Sequence, residues 1–140
     1  MPCLSRRFDI SLGPIIDVIA LGPGTVRNAG ASGAQVSASA YPALIDTGAT
    51  TTCISAGVAS SLQLQPIGKR PMVSATHQTP VNAYLVDLLL PFGAAGHWIE
   101  SIQVMEFVSG DSAIQMLLGR DIIGLGTLSI SFDGHFTFCL

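Results

Sequence analysis

The sequence predicts a single, mostly-β domain with one or two short helices, and three observations carry that reading. Short apolar segments rich in β-branched and aromatic residues recur along the chain, set apart by Gly and Pro turns. Near the C-terminus, Leu128-Ser129-Ile130-Ser131-Phe132 alternates apolar and polar, Asp133-Gly134 supplies a tight-turn dipeptide, and His135-Phe136-Thr137-Phe138 alternates back; this is a hairpin signature. Only Ser55 to Leu64 carries a sustained helical pattern, with Ser55 as N-cap and Val58, Ala59 and Leu62 on one face. At 140 residues the chain is one domain by size and long enough to bury a core, and it contains no internal repeat.

The elements follow in order. Pro14 to Leu21 is apolar and β-rich and is stopped by Gly22-Pro23-Gly24. Asn28 to Ser39 is small and polar, and reads as a loop or a weak strand. Tyr41 to Ile45 rises into Asp46-Thr47-Gly48-Ala49. Pro66 to Pro80 holds three prolines and reads as an extended arm or loop. Val81 to Leu90 and Trp98 to Val108 are strands, the latter anchored by Ile99, Ile102, Val104 and Phe107. Gln115 to Leu118 is a short apolar run ending at Gly119, and Arg120 to Leu125 suits one or two helical turns.

Composition narrows the function classes. Hydrophobic residues make up 49% of the chain and charged residues 11%, well under the usual quarter. A chain with so little polar surface is expected to cover part of itself with a partner. Net charge is -3 and the only basic pairs are Arg6-Arg7 and Lys69-Arg70, so no basic stripe suits nucleic acid. No apolar run is long enough to span a membrane. Ser5-Arg6-Arg7-Phe8 has the arginine pair of a twin-arginine export signal, but Asp9 and Asp17 interrupt the apolar region that signal needs. Cys3, Cys53 and Cys139 match no zinc spacing and read as reduced thiols of a cytoplasmic protein, Cys53 as a small core residue. His77, His97 and His135 lack ligand spacing, so neither a metal nor another cofactor is expected.

The chemistry concentrates at Asp46. A carboxylate at the end of the apolar strand Ala43-Leu44-Ile45 is costly unless hydrogen-bonded or paired. Gly48 lets the backbone turn tightly and bring its N–H toward that carboxylate. About seventy residues on comes Leu117-Leu118-Gly119-Arg120-Asp121-Ile122-Ile123. The two segments in this order resemble the retropepsin-like aspartic proteases, marked by apolar-apolar-Asp-Thr-Gly-Ala and later by apolar-apolar-Gly, often followed by Arg and a short helix. The resemblance covers residues 35–140, leaving 1–34 as an extra strand, a dimer arm or a propeptide.

That resemblance implies a retropepsin-like β-barrel half, active as a homodimer. Peptide hydrolysis in this class uses one ionised and one protonated aspartate flanking a water. This chain has one Asp-Thr-Gly; Asp9, Asp17, Asp87, Asp111, Asp121 and Asp133 lack the Thr/Ser-Gly that would follow. The second carboxylate is therefore expected from the Asp46 of a second copy across a two-fold axis. The family pattern makes Asp46, Thr47 and Gly48 the catalytic segment: Thr47 locks the two loops across the axis, Gly48 binds substrate backbone, and Ala49 and Gly119 line the cleft. It places a closing flap between Pro66 and Ala83, with Ala75, Thr76 and His77 at the tip against a peptide or protein substrate. One departure stands out. In many members the fourth residue after the catalytic aspartate is acidic and pairs with the later arginine; here it is Thr50, so Arg120 is expected to turn to Asp121, Asp87 or a backbone carbonyl. Phe132, Phe136 and Phe138 suit either a dimer interface or the subunit's own core, and interleaved chain ends would bring Cys3 near Cys139 across the dimer. The competing function is a catalytically weak dimeric scaffold or peptide-binding module on the same fold.

Overall fold

The computed structural model describes residues 1–32, 38–110 and 113–140. Strands β1 (Cys3–Arg7), β2 (Ile15–Leu21), β3 (Ser39–Ile45), β4 (Cys53–Ser55), β5 (Gly68–Val73), β6 (Gln78–Leu90), β7 (His97–Phe107), β8 (Met116–Leu118), β9 (Thr127–Ile130) and β10 (His135–Cys139) are joined by helices α1 (Thr25–Ser32), α2 (Ala56–Ser61) and α3 (Arg120–Ile123). The larger sheet runs β2-β3-β8-β4-β7-β6-β5, and a further β2–β6 pairing closes its first six strands into a barrel. Closure removes the exposed edges that an open sheet would carry. β5 hangs outside it as one arm of the β5–β6 hairpin. A second sheet, β1-β10-β9, packs beside the barrel.

Period-two patterning explains which side chains go inside. Val18 and Ala20 of β2, Val86 and Leu88 of β6, and Met116 and Leu118 of β8 are fully buried in one core. The C-terminal hairpin joins that core: Phe136 stacks near Phe8, and Phe138 meets Phe92 edge-on with ring centroids 5.1 Å apart. Phe136 and Phe138 thus pack their own subunit, whereas Phe132, in the β9–β10 turn, is 96% exposed. Gly134 takes a φ of 85° in that turn, which is why the Asp-Gly pair closes it.

Ser55 caps α2 as its side chain predicts, its Oγ accepting from the Val58 N–H at 3.2 Å. The helix ends at Ser61, short of Leu64, and the chain then reverses through Gln63 at a left-handed φ of 53°. The 66–80 arm is not irregular: its first part is β5, paired with β6 from Gly68↔Ala83 to Val73↔Gln78.

Residues 28–32, expected in a loop or weak strand, lie in α1. The helix starts because of a distant residue. Asp87, fully buried, accepts the Val26 N–H at 3.2 Å with one oxygen and the Ser101 N–H at 2.8 Å with the other. A carboxylate at a helix N-terminus satisfies an orphan donor and complements the dipole. Replacing Asp87 with Ala strands both amides, and a loss of about 1–3 kcal/mol in urea unfolding is expected; an unchanged midpoint would remove Asp87 from the fold's supports. The expected boundary at residues 34 and 35, and Asp111, fall outside the described residues.

The reading of Cys3 and Cys139 as reduced thiols is corrected by the structure. They face each other in the β1–β10 register and form an intrachain disulfide, 136 residues apart in sequence. The pairing occurs within one chain because β1 returns to β10 of its own subunit. Opening a covalent loop of this length enlarges the unfolded ensemble, so Cys139→Ser or reduction should lower unfolding stability by about 2–4 kcal/mol. Equal midpoints with and without reductant would show that the bond contributes nothing. Among the described residues no helix is long and apolar enough to cross a membrane.

Candidate functional site

The segment from Asp46 to Thr52 owes its shape to strand order. β8 lies between β3 and β4, parallel to β3 and antiparallel to β4. The chain leaving β3 must therefore cross the C-terminal end of β8 to begin β4. Gly119, the residue after β8, passes directly beneath that crossing. A Cβ on Gly119 would stand 2.6 Å from the carbonyl carbon of Thr51 and 2.8 Å from both its oxygen and the nitrogen of Thr52. Only glycine fits so close to another backbone.

The crossing is held at both ends. The Asp46 N–H donates to the Leu118 carbonyl at 2.9 Å, and the Arg120 N–H donates to the Ala49 carbonyl at 2.8 Å. The Gly48 N–H donates to Asp46 Oδ1 at 2.9 Å, which fixes one carboxylate oxygen against the turn. Asp46 and Ala49 are half-buried, and Thr47 and Gly48 are exposed. The far end hangs on Asp121. Its carboxylate accepts the Thr52 hydroxyl at 2.7 Å, the Thr52 N–H at 3.0 Å and the Ile122 N–H at 2.9 Å. The Thr52 hydroxyl in turn accepts the Gly119 N–H at 3.1 Å. Thr52 is fully buried, so this closed network also satisfies its polar groups.

Arg120 takes the third of its expected options. Its Nη1 donates to the Thr47 carbonyl at 2.9 Å and its Nη2 to the Thr50 hydroxyl at 3.0 Å. Asp121 is turned away to Thr52, and Asp87 lies at the α1 terminus, so neither acid is its partner. Thr50, which stands where the family pattern often has an acid, still receives the arginine, but as a neutral acceptor.

A cavity of about 410 Å³ opens beside the crossing. Its floor includes Gly48, Ala49, Cys53 and Leu117, with Met105 and Phe107 of β7 forming one wall. Pro71, Met72 and Val73 of β5 form another. The structure brings Asp46, Thr47, Gly48, Ala49 and Gly119 together, but of these only Gly48 and Ala49 line the cavity; Gly119, expected to line the cleft, instead lies under the Thr51–Thr52 backbone. Ala75, Thr76 and His77 are exposed in the β5–β6 turn, which closes through a Ser74 N–H to His77 carbonyl bond of 2.8 Å. Thr76 Oγ1 and His77 Nδ1 lie 2.8 Å apart. In this chain it is the β5 strand leading into the turn that shares the cavity with the Asp46 segment, and the turn residues do not line it.

The cavity residues Met72, Cys53 and Met105 were not legible as site residues. Met72 sits in the proline-bounded arm, Cys53 reads as a small core residue, and Met105 lies in the Trp98 to Val108 strand without being one of its anchors. The signal that points to them is the hairpin pairing, which folds β5 over the barrel mouth. Cys53 is buried, with Sγ 3.3 Å from the Thr51 carbonyl. Burial, and then the charges of Asp121 and Asp46, push its thiol up to about 11. It therefore stays a neutral apolar wall, as a small core residue would. Among the described residues no group of three or more His, Cys, Asp or Glu side chains is placed to hold a metal ion.

Comparison with known proteins agrees with the geometry. Among curated proteins, none is similar enough in sequence to match. The chain superposes on the crystal structure of a retropepsin-like aspartic protease from Rickettsia conorii with a TM-score of 0.63, over 97% of this chain and 89% of that one. Identity between the two is 11%, so the likeness is one of fold. The family model described as aspartyl protease matches residues 23–122, a span that holds the Asp46 crossing, the β5–β6 hairpin and all of α3 but its last residue. With a retropepsin-like barrel, an Asp-Thr-Gly-Ala crossing held over Gly119, and that match across most of its length, this chain belongs to the aspartyl protease family.

Proposed function

We propose that the protein is an aspartic endopeptidase that works as a homodimer. The observation that carries this reading is the Asp46 crossing. It presents one half-buried carboxylate, fixed by the Gly48 N–H, in the same turn as Gly48 and Ala49, which line a cavity with Met72, Met105, Phe107 and Leu117. A single carboxylate can activate a water or protonate a leaving group, but peptide hydrolysis of this class needs both roles at once. A second copy related by a two-fold axis supplies the other role with an identical group.

The roles follow from position. The ionised Asp46 of one subunit takes a proton from the water as it attacks the peptide carbonyl. The protonated Asp46 of its mate hydrogen-bonds the carbonyl oxygen, where negative charge develops. Thr47, exposed beside Asp46, is placed to bond across the axis, and the backbone of Gly48 to meet the substrate chain. The apolar walls take substrate side chains. The β5–β6 hairpin is the flap that closes over them, and Ala75, Thr76 and His77 at its turn contact the substrate when it does.

A dimeric site makes specific activity depend on protein concentration. On dilution below the dissociation constant, activity per chain should fall, in step with a shift from dimer to monomer by analytical ultracentrifugation. Full activity from a strict monomer would sink the shared-site reading. A stable dimer that cleaves no peptide across a mixed library, from roughly pH 3 to 7, would favour a binding or scaffold module.

A further inference from the structure

Among the described residues Arg120 is a charge without a counter-charge, and it lies against Thr50, which lines the cavity. Its guanidinium is exposed and donates only to neutral acceptors, the Thr47 carbonyl and the Thr50 hydroxyl. Among the described residues it forms no ion pair; the one ion pair there joins His135 to Asp133. Asp121, its sequence neighbour, has its carboxylate committed to the Thr52 hydroxyl and N–H and the Ile122 N–H. Thr50 lines the cavity and Thr51 beside it does too, and among the described residues no charged side chain of either sign lines it.

An arginine in this setting has two properties that matter. Two N–H groups hold it in a fixed orientation, so little freedom remains to be lost when a ligand arrives. The remaining donors of the planar fork suit a carboxylate, and a charge-assisted bond of that kind is stronger than a neutral one. Had residue 50 been acidic, the guanidinium would be neutralised inside the protein. With Thr50 there, its field extends into the cleft.

We propose that Arg120 is a specificity-determining residue that selects peptide substrates carrying an acidic side chain in the position that packs beside Thr50. The inference rests on the protease reading above and adds the substrate class. The recognised chemistry is a carboxylate, and we assign it to a Glu or Asp side chain within the peptide.

The test is a set of peptides built on one cleaved sequence, with each position around the scissile bond set in turn to Glu or Gln. The readout is the Glu/Gln ratio of kcat/KM within each enzyme, so a variant's absolute rate does not enter. In wild type, one position should favour Glu by about fivefold, as expected for a partly exposed pair. That preference should shrink as salt rises, because solvent-exposed charges are screened. Thr50→Asp, which supplies an internal counter-charge, should bring the ratio to unity or below. Arg120→Lys keeps the charge without the fork and should retain part of the preference. All peptides are compared with free and amidated C-termini. A preference that disappears on amidation would assign the guanidinium to the chain terminus and overturn selection of an acidic side chain. A wild-type ratio of one at every position overturns the proposal while leaving the protease reading intact. No cleavage of any peptide overturns the protease reading, and this inference with it.

Discussion

Asp46→Asn should abolish peptide cleavage, lowering kcat/KM by about 10²–10⁴-fold or more, while the protein stays folded and dimeric. The amide is nearly isosteric and its oxygen still accepts the Gly48 N–H that now meets Asp46 Oδ1 at 2.9 Å, so the crossing keeps its shape. What is lost is a group that can take and return a proton. In the proposed dimer both copies would lose it together, which would make the effect larger than loss of one member of an asymmetric pair. Mixing adds a second arm. Excess Asp46→Asn chains added to wild type should depress activity per wild-type chain, because mixed dimers carry one carboxylate. Comparable rates from Asp46→Asn and wild type would take Asp46 out of the mechanism.

Gly119→Ala should be nearly as damaging, by another route. The added Cβ would meet Thr51 and Thr52 backbone at 2.6–2.8 Å, and backbone cannot swing aside as a flexible side chain does. Either the crossing lifts off β8 or β8 shifts in the barrel. Overpacking of this kind costs about 1–3 kcal/mol. The functional loss is expected to be larger than that figure suggests, because a displacement near 1 Å in a catalytic group can cost roughly 10²-fold in rate. The displacement also reaches Asp46, through the Leu118 carbonyl that its N–H donates to and the Ala49 carbonyl that takes the Arg120 N–H. Activity and urea unfolding of the variant separate the two effects. A variant with wild-type kcat and midpoint would show that the crossing has room beneath it.

These two residues differ in how they could be read. Asp46 was legible because its meaning is local: an apolar strand, a carboxylate, a hydroxyl residue and a glycine in succession. The same holds for Ser55 capping α2 and for Asp133-Gly134 closing the last hairpin. In each case the physical cause lies within a few residues of its effect, so the sequence alone determined a mostly-β domain and the place of the Asp46 turn within it.

What only the tertiary structure decided depends on residues far apart in the chain. α1 forms where small residues suggested a loop, because Asp87 on β6 caps it across 61 positions. Cys3 meets Cys139 because β1 returns to pair with β10 of its own subunit. Pro71, Met72 and Val73 join the Asp46 segment at one cavity because β5 folds back on β6. Arg120 settles on Thr47 and Thr50 because the crossing over β8 puts both within its reach while Asp121 is taken by Thr52. No local pattern encodes such pairings. They follow from strand order and closure of the barrel, which bring distant segments together whatever their own propensities.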